Sequence, residues 1–246
     1  MKQTLYILFL FFTFQVTAQN IGLTISFNDT TIKTSKLINY NKEIAIHEIK
    51  QELTTVINQL QEKAYLTATV DSIRIDSSHY HAYLNIGKTY RWTSLTNKNI
   101  DEEILSNMGF RDKLYNNKVF NEKQLKNFFK KIINYYEDNG YPFASIKLDS
   151  IAINDDKLAA QIFIEKNKFY KIDSVLIKGN ARITSTYIQN YIRIKNGDTY
   201  NEESIKQISN RIKELPFVTE EKKWKIIFTE KESKVLLFLK KKQASR

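Results

Sequence analysis

The hydrophobic positions follow two rhythms that take turns along the chain. Ile46, Ile49, Leu53, Val56, Ile57 and Leu60 recur at helical spacing. So do Leu125, Phe128, Phe129, Ile132, Ile133 and Tyr136, and again Ile205, Ile208, Ile212 and Leu215. Each set makes one stripe, so each predicted helix covers something apolar with one face. After each stripe the rhythm shortens to two. Ala144, Ile146 and Leu148 alternate with Ser145, Lys147 and Asp149; Trp224, Ile226 and Phe228 alternate with Lys223, Lys225 and, less cleanly, Ile227. A polar turn (Asn154-Asp155-Asp156; Glu230-Lys231-Glu232-Ser233) leads into a second alternating run: Leu158, Ala160, Ile162, Ile164, and Val235, Leu237, Leu239. The pattern predicts a helix followed by a β-hairpin with one apolar face. Residues 66–75 and 80–86 predict the same hairpin around Asp76-Ser77-Ser78.

These units share a register. Tyr40-Asn41-Lys42-Glu43 recurs as Phe120-Asn121-Glu122-Lys123 and as Tyr200-Asn201-Glu202-Glu203, 80 residues apart each time. Tyr90-Arg91-Trp92 and Tyr170-Lys171-Ile172 are also 80 apart. A fixed period of this kind marks internal repetition. Each repeat begins its long helix at an asparagine, whose side-chain oxygen can accept from an orphan backbone N–H. Before the third long helix, residues 170–177 read as a strand, Gly179-Asn180 as a turn, and Thr184 or Ser185 as the cap of a short helix reaching Ile192. In the second repeat, residues 90–95 are the strand and 101–108 the short helix, with Gly109 as its stop. The first repeat has a possible strand at residues 23–27 and no convincing short helix.

The predicted fold class is therefore α+β: tandem β-α-α-β-β units, each a three-stranded sheet covered by two helices. The boundaries read as 19–89 for a divergent first unit, 90–168 for the second and 169–242 for the third, with joints near residues 88–92 and 168–172. No Gly- or Ser-rich linker separates them, which predicts a semi-rigid arm.

Composition narrows the chemistry. Among 246 residues there is no cysteine, which excludes disulfides, thiolate metal sites, a cysteine nucleophile and a Cys-anchored lipid. Six glycines and two prolines leave little material for a phosphate-cradling loop. The formal charge of +11 favours an anionic partner. At the N-terminus, Lys2 precedes an apolar run over residues 5–14 broken only by Thr13, and Val16-Thr17-Ala18 offers small residues at the −3 and −1 positions. This predicts a cleaved signal peptide over residues 1–18, since the run is too short to span a bilayer. An exported chain without cysteine suits the envelope of a Gram-negative bacterium.

The third repeat resembles a POTRA (polypeptide-transport-associated) domain. The likeness rests on Phe169-Tyr170-Lys171-Ile172-Asp173-Ser174-Val175, Ile177-Lys178-Gly179-Asn180, Ile194-Lys195-Asn196-Gly197-Asp198-Thr199-Tyr200-Asn201 and Leu215-Pro216-Phe217. The second repeat is similar, with Asn139-Gly140-Tyr141-Pro142 as its helix-to-strand turn; the first matches more weakly. Such arrays form the periplasmic arm of BamA/TamA-type outer-membrane barrel proteins, which assemble or translocate other outer-membrane proteins. Here no β-barrel follows within the sequence. The resemblance implies a non-enzymatic scaffold, localised in the periplasm and associated with the outer membrane.

It also implies where partners bind. A three-stranded sheet leaves edges to which an extended client can add a strand. The resemblance places that edge on the hairpin's first strand: Ala144, Ser145, Ile146, Lys147, Leu148 and Asp149 in the second repeat, and Trp224, Lys225, Ile226, Ile227, Phe228 and Thr229 in the third. The expected partners are unfolded outer-membrane client proteins or periplasmic accessory proteins. An alternative is a free-standing periplasmic docking module with no assembly activity of its own. Residues 222–246 carry nine cationic side chains against two glutamates. They read either as solubilising edge lysines or as a membrane-proximal basic patch of Lys240, Lys241, Lys242 and Arg246, facing a barrel or an anionic lipid surface. Nucleic acid is not expected, because the chain is exported and its charge is dispersed.

Catalytic candidates have plainer explanations. His79 and His81 share one strand face without a third ligand of the usual kind. His47 lies among helix glutamates, and Asp101-Glu102-Glu103 suit the positive end of a helix. No hydrolase, zinc-protease or nucleotide motif is present, so the sequence predicts no catalytic residue, no metal and no cofactor.

Overall fold

The computed structural model describes residues 20–27, 41–76 and 79–242. The signal-like segment 1–18 and Arg246 lie outside the described residues. The chain divides into two compact units between Tyr90 and Arg91. The first holds one sheet and the second holds two.

In the second unit, repeat two runs β5 (Arg91–Asn97), α2 (Glu102–Asn107), a 3-10 turn, α3 (Glu122–Asp138), β6 (Ser145–Asn154) and β7 (Lys157–Glu165). Repeat three runs β8 (Ser174–Lys178), α4 (Ser185–Ile192), α5 (Glu202–Lys206), α6 (Ile208–Lys213), β9 (Val218–Phe228) and β10 (Ser233–Lys241). The sheet orders are β5-β7-β6 and β8-β10-β9. In each, the strand that opens the repeat runs parallel to the hairpin's second strand. The hairpin's first strand is thereby left at an edge.

The helix starts follow from their caps. Asn121 Oδ1 accepts from the Gln124 N–H (2.8 Å), Asn201 Oδ1 from Ser204 (2.7 Å), Thr184 Oγ1 from Tyr187 (3.3 Å) and Asp101 Oδ1 from Glu103 (2.9 Å). Each satisfies one orphan donor of a first turn. The expected long helix of repeat three breaks at Gln207 into α5 and α6. Ile205, Ile208 and Ile212 still reach the same core, which Ile188, Ile192, Val235, Leu237 and Leu239 complete. Each such burial contributes roughly 1.5–3 kcal/mol. Gly179 is required where the chain leaves β8: with φ at +105°, a Cβ there would lie 2.2 Å from the Leu239 carbonyl oxygen.

Repeats two and three meet without a linker. The Tyr170 N–H donates to the Gly140 carbonyl (2.8 Å) and Asn167 Nδ2 to the Phe143 carbonyl (2.7 Å). Asn201 Nδ2 donates to the Asp138 carbonyl (2.9 Å). The rings of Phe143, Tyr170 and Phe228 meet edge to face, with centroids 4.9–5.8 Å apart.

Repeat one departs from the expected plan. It runs β1 (Asn20–Phe27), β2 (Asn41–Ala45), a 3-10 turn (Ile46–Glu48), α1 (Ile49–Glu62), β3 (Thr69–Ile75) and β4 (His79–Asn85). The order is β2-β1-β4-β3. The α+β class stands, but among the described residues this repeat has four strands and one α-helix, not three strands and two. The helix expected to start at Asn41 starts at Ile49. Residues 41–45 pair antiparallel with β1 instead, from Thr24↔Asn41 to Asn20↔Ala45, and bury Ile44 against the sheet. The other repeats carry a trace of this strand. Val119 and Thr199, two residues before their capping asparagines, each make one isolated antiparallel bridge, to Arg91 and Lys171.

Candidate functional site

The strands expected to bind partners, β6 and β9, are both edge strands. On β6, Ile146 and Leu148 pair with Ile164 and Ile162 and turn inward, while Ser145 and Lys147 are exposed. Ala144 precedes the strand, and its N–H is engaged by the Tyr141 carbonyl (3.1 Å). Asp149 is held by Lys98. Hydrogen bonds from Lys98 and from the Ser150 N–H lower its carboxyl pKa below the usual carboxylate value.

Beyond Asp149 the strand does something the alternation did not announce. Ser150 takes φ +50°, and the register shifts before Ala152 pairs with Ala159. This bulge leaves Ile151 and Ile153 exposed. The available signal was the pair Ile151-Ala152-Ile153 falling out of phase with Leu148. The open apolar edge of repeat two thus continues to the end of β6.

On β9, Trp224, Ile226 and Phe228 pack against the repeat's core, and Lys223, Lys225 and Ile227 are exposed. The last two candidates serve other purposes. Phe228 also lies in the aromatic joint with repeat two, and its ring is 5.5 Å from that of Tyr200. Thr229 closes the hairpin: its N–H and Oγ1 donate to the Glu232 carbonyl, and its own carbonyl accepts from the Tyr170 hydroxyl (3.2 Å). Among these candidates on β9, the residues left facing outward are therefore Lys225 and Ile227, and Lys223, just before them, lies at a bulge.

Sequence reasoning missed an edge in repeat one. Every residue of β3 is exposed. Val70 and Ile73, three apart, face the same side because the register shifts between Val70 and Ser72. With Ile46, Ile49, Leu53, Ile57 and Tyr80 they line an apolar groove of 450 Å³ between β3 and α1. The opposite edge of this sheet is occupied by β2, so β1 is not open.

The remaining candidates lie apart from these edges. Lys240 and Lys241 end β10, and the Lys242 N–H donates to the Phe217 carbonyl (3.0 Å). His79 and His81 stack with centroids 5.8 Å apart, and His81 Nε2 lies 3.4 Å from Asp76 Oδ2. Among the described residues, no three His, Asp or Glu side chains are grouped to hold a metal, and no helix is long and apolar enough to cross a membrane.

Among solved structures, the chain is similar to POTRA domains 3–5 of BamA from Haemophilus influenzae, with a TM-score of 0.56 and 13% identity over 92% of this chain and 99% of that one. It also matches BamA from Haemophilus ducreyi lacking POTRA domains 1–3 (TM-score 0.48, 12% identity, 62% of this chain and 30% of that one). A third match is POTRA1–3 of the periplasmic domain of Omp85 from Anabaena (0.37, 10%, 92% and 98%). At 13% identity the likeness to the Haemophilus influenzae domains is one of fold. No curated protein matches the sequence. The POTRA family model, described as surface antigen variable number repeat, matches residues 91–165 and 170–220, just over half of the chain. The chain belongs to the POTRA, or surface antigen variable number repeat, family.

Proposed function

We propose that this chain is a periplasmic POTRA arm of a BamA/TamA-type assembly factor and binds client or partner proteins by strand addition. The observation that carries this reading is repeated. In repeats two and three the hairpin's first strand lies at the sheet edge, with inward side chains already packed and outward main-chain groups available. A client strand gains affinity there mostly from main-chain hydrogen bonds, so many sequences are accepted. The groove beside β3 adds apolar pockets for alternate side chains of such a strand. No catalytic role is part of this reading. Lys240, Lys241, Lys242 and Arg246 face an outer-membrane barrel or anionic lipid, and residues 1–18 direct export and are removed.

Photo-crosslinking tests the reading. Photoreactive residues placed singly at Lys147, Lys225 or Ile73 are offered a urea-unfolded outer-membrane barrel protein on dilution. Crosslinks at these edges well above those from Lys131, on an exposed helix face, support strand addition. Equal yields at all positions overturn it. Capture of one or two folded envelope proteins, with no unfolded client, identifies a docking module instead.

A further inference from the structure

The outer face of the third sheet, turned away from its helices, has a composition that folding does not require. The registers of β8, β10 and β9 place its side chains in rows: Ser174, Lys234 and Ile227; Leu176, Leu236 and Lys225; Lys178, Phe238 and Lys222; then Lys240 and Thr219. No acidic residue takes any of these paired positions. Lys178, Lys222, Lys225 and Lys240 are exposed and make no ion pair among the described residues, whereas Lys234 is paired with Glu232. Glu220 turns to Ser209 on α6 (3.0 Å), and Glu221 occupies an irregularity in β9. Between the lysines, Leu176 and Ile227 are exposed, and Leu236 and Phe238 are half-buried. Lys222 Nζ lies 4.4 Å from the centre of the Phe238 ring.

The second repeat is an internal comparison. Its outer face, with the same strand order, carries Ser94, Thr96, Lys147, Asp149, Ala152, Ala159, Gln161 and Phe163, so its charges are of both signs. Lys98 there is neutralised by Asp149. Lysines lie over an aromatic ring on both faces, Phe163 in repeat two and Phe238 in repeat three, so it is the single sign of charge that belongs to the third repeat and not to the fold.

We infer that this face docks on an anionic phospholipid surface. The charge is complementary to phosphate and has a single sign across three strands. The cations are lysines, point charges that accept phosphates in any orientation, without the planar fork of arginine that suits a fixed protein carboxylate. Their stems run beside leucine, isoleucine and phenylalanine side chains, so the ammonium groups reach headgroups while the apolar atoms meet the interface. Lys225 and Ile227 belong both to this face and to the β9 edge, and vesicle binding measured without any client reads the face by itself.

Sedimentation of the full chain with vesicles of phosphatidylcholine alone, or with phosphatidylglycerol added, tests this. The apolar run at residues 5–14 is common to all variants, so the readout is the gain on adding anionic lipid. Each lysine near such a surface is worth about a fivefold change in partitioning, so Lys178→Gln/Lys222→Gln/Lys225→Gln should lower that gain about a hundredfold. Lys123→Gln/Lys130→Gln/Lys131→Gln, an equal loss of charge on α3, should change it far less. Molar salt should abolish the gain for the unmodified chain, a measurement that needs no variant to fold. The inference is overturned by equal losses in the face and α3 variants, or by an unchanged gain in the face variant.

Discussion

The carboxylate of Asp138, the last residue of α3, accepts a hydrogen bond from the backbone N–H of Glu203 (2.8 Å). Repeat two thereby caps a helix of repeat three. Asn201 caps the next N–H of the same turn from within its own repeat. Removing the outside cap by Asp138→Ala should cost about 1 kcal/mol, near the usual cost of a lost N-cap. Thermal unfolding followed by circular dichroism should show a midpoint lower by about 2–4 °C. Asp138→Asn, whose amide oxygen still accepts, should lose less.

Glu137 stands beside that contact. Burial first, and then the neighbouring charge of Glu202, raise its pKa above the usual carboxylate value. A raised carboxyl binds its proton more tightly in the folded state. Its contribution to stability is complete below the unfolded pKa and is lost as pH rises through the folded one. Glu137→Gln should therefore flatten the fall in midpoint as pH rises above the ordinary carboxylate range, and raise the midpoint at neutral pH. Parallel melts of both proteins from acid to neutral pH check the sign.

The edge of repeat three is separable from its core. Ile226→Pro removes a backbone donor and disturbs the strand, so unfolded-client binding should fall by more than the stability loss explains. Ile227→Lys changes an exposed side chain and should cost within about 0.5 kcal/mol. Client affinity measured by fluorescence anisotropy should nevertheless weaken severalfold with it. Full binding by both folded variants would remove β9 from the binding surface.

Arg193 ends α4 in the left-handed conformation, with φ +55° and ψ +40°. A side chain there is strained, and glycine is the residue that occupies such positions without cost. Arg193→Gly should stabilise the chain by about 0.5–1 kcal/mol. Urea unfolding with an unchanged slope and a higher midpoint would bear this out.

The asparagines at 41, 121 and 201 show where sequence reading holds and where it stops. All three stand at one repeat position before an apolar helical stripe. At 121 and 201 the local signal suffices, because the helix turn lies within reach of the cap. At 41 a partner distant in sequence decides. The segment joins β1, and Asn41 Oδ1 instead accepts from Thr24 Oγ1 (3.5 Å). The same limit explains the irregularities of β3 and β6. Alternation shows which side chains want cover, but a register shift is set by the neighbouring strand. The edge position of β6 and β9 was legible only through the family resemblance, since strand order leaves no local trace. Exposed Ile151 and Ile153 interrupt the pattern without saying that a bulge is the cause.

The order β2-β1-β4-β3 also gives the first sheet two unlike ends. A sheet that can recruit a like strand at both ends is one that elongates by repetition, which is how ordered aggregates grow. β2 has five residues and exposes Asn41, Lys42 and Glu43, whereas β3 exposes all seven of its residues, Ile73 and Ile75 among them. A short edge bearing charge of both signs discourages pairing, so contacts between copies should form through β3 and propagate poorly through β2.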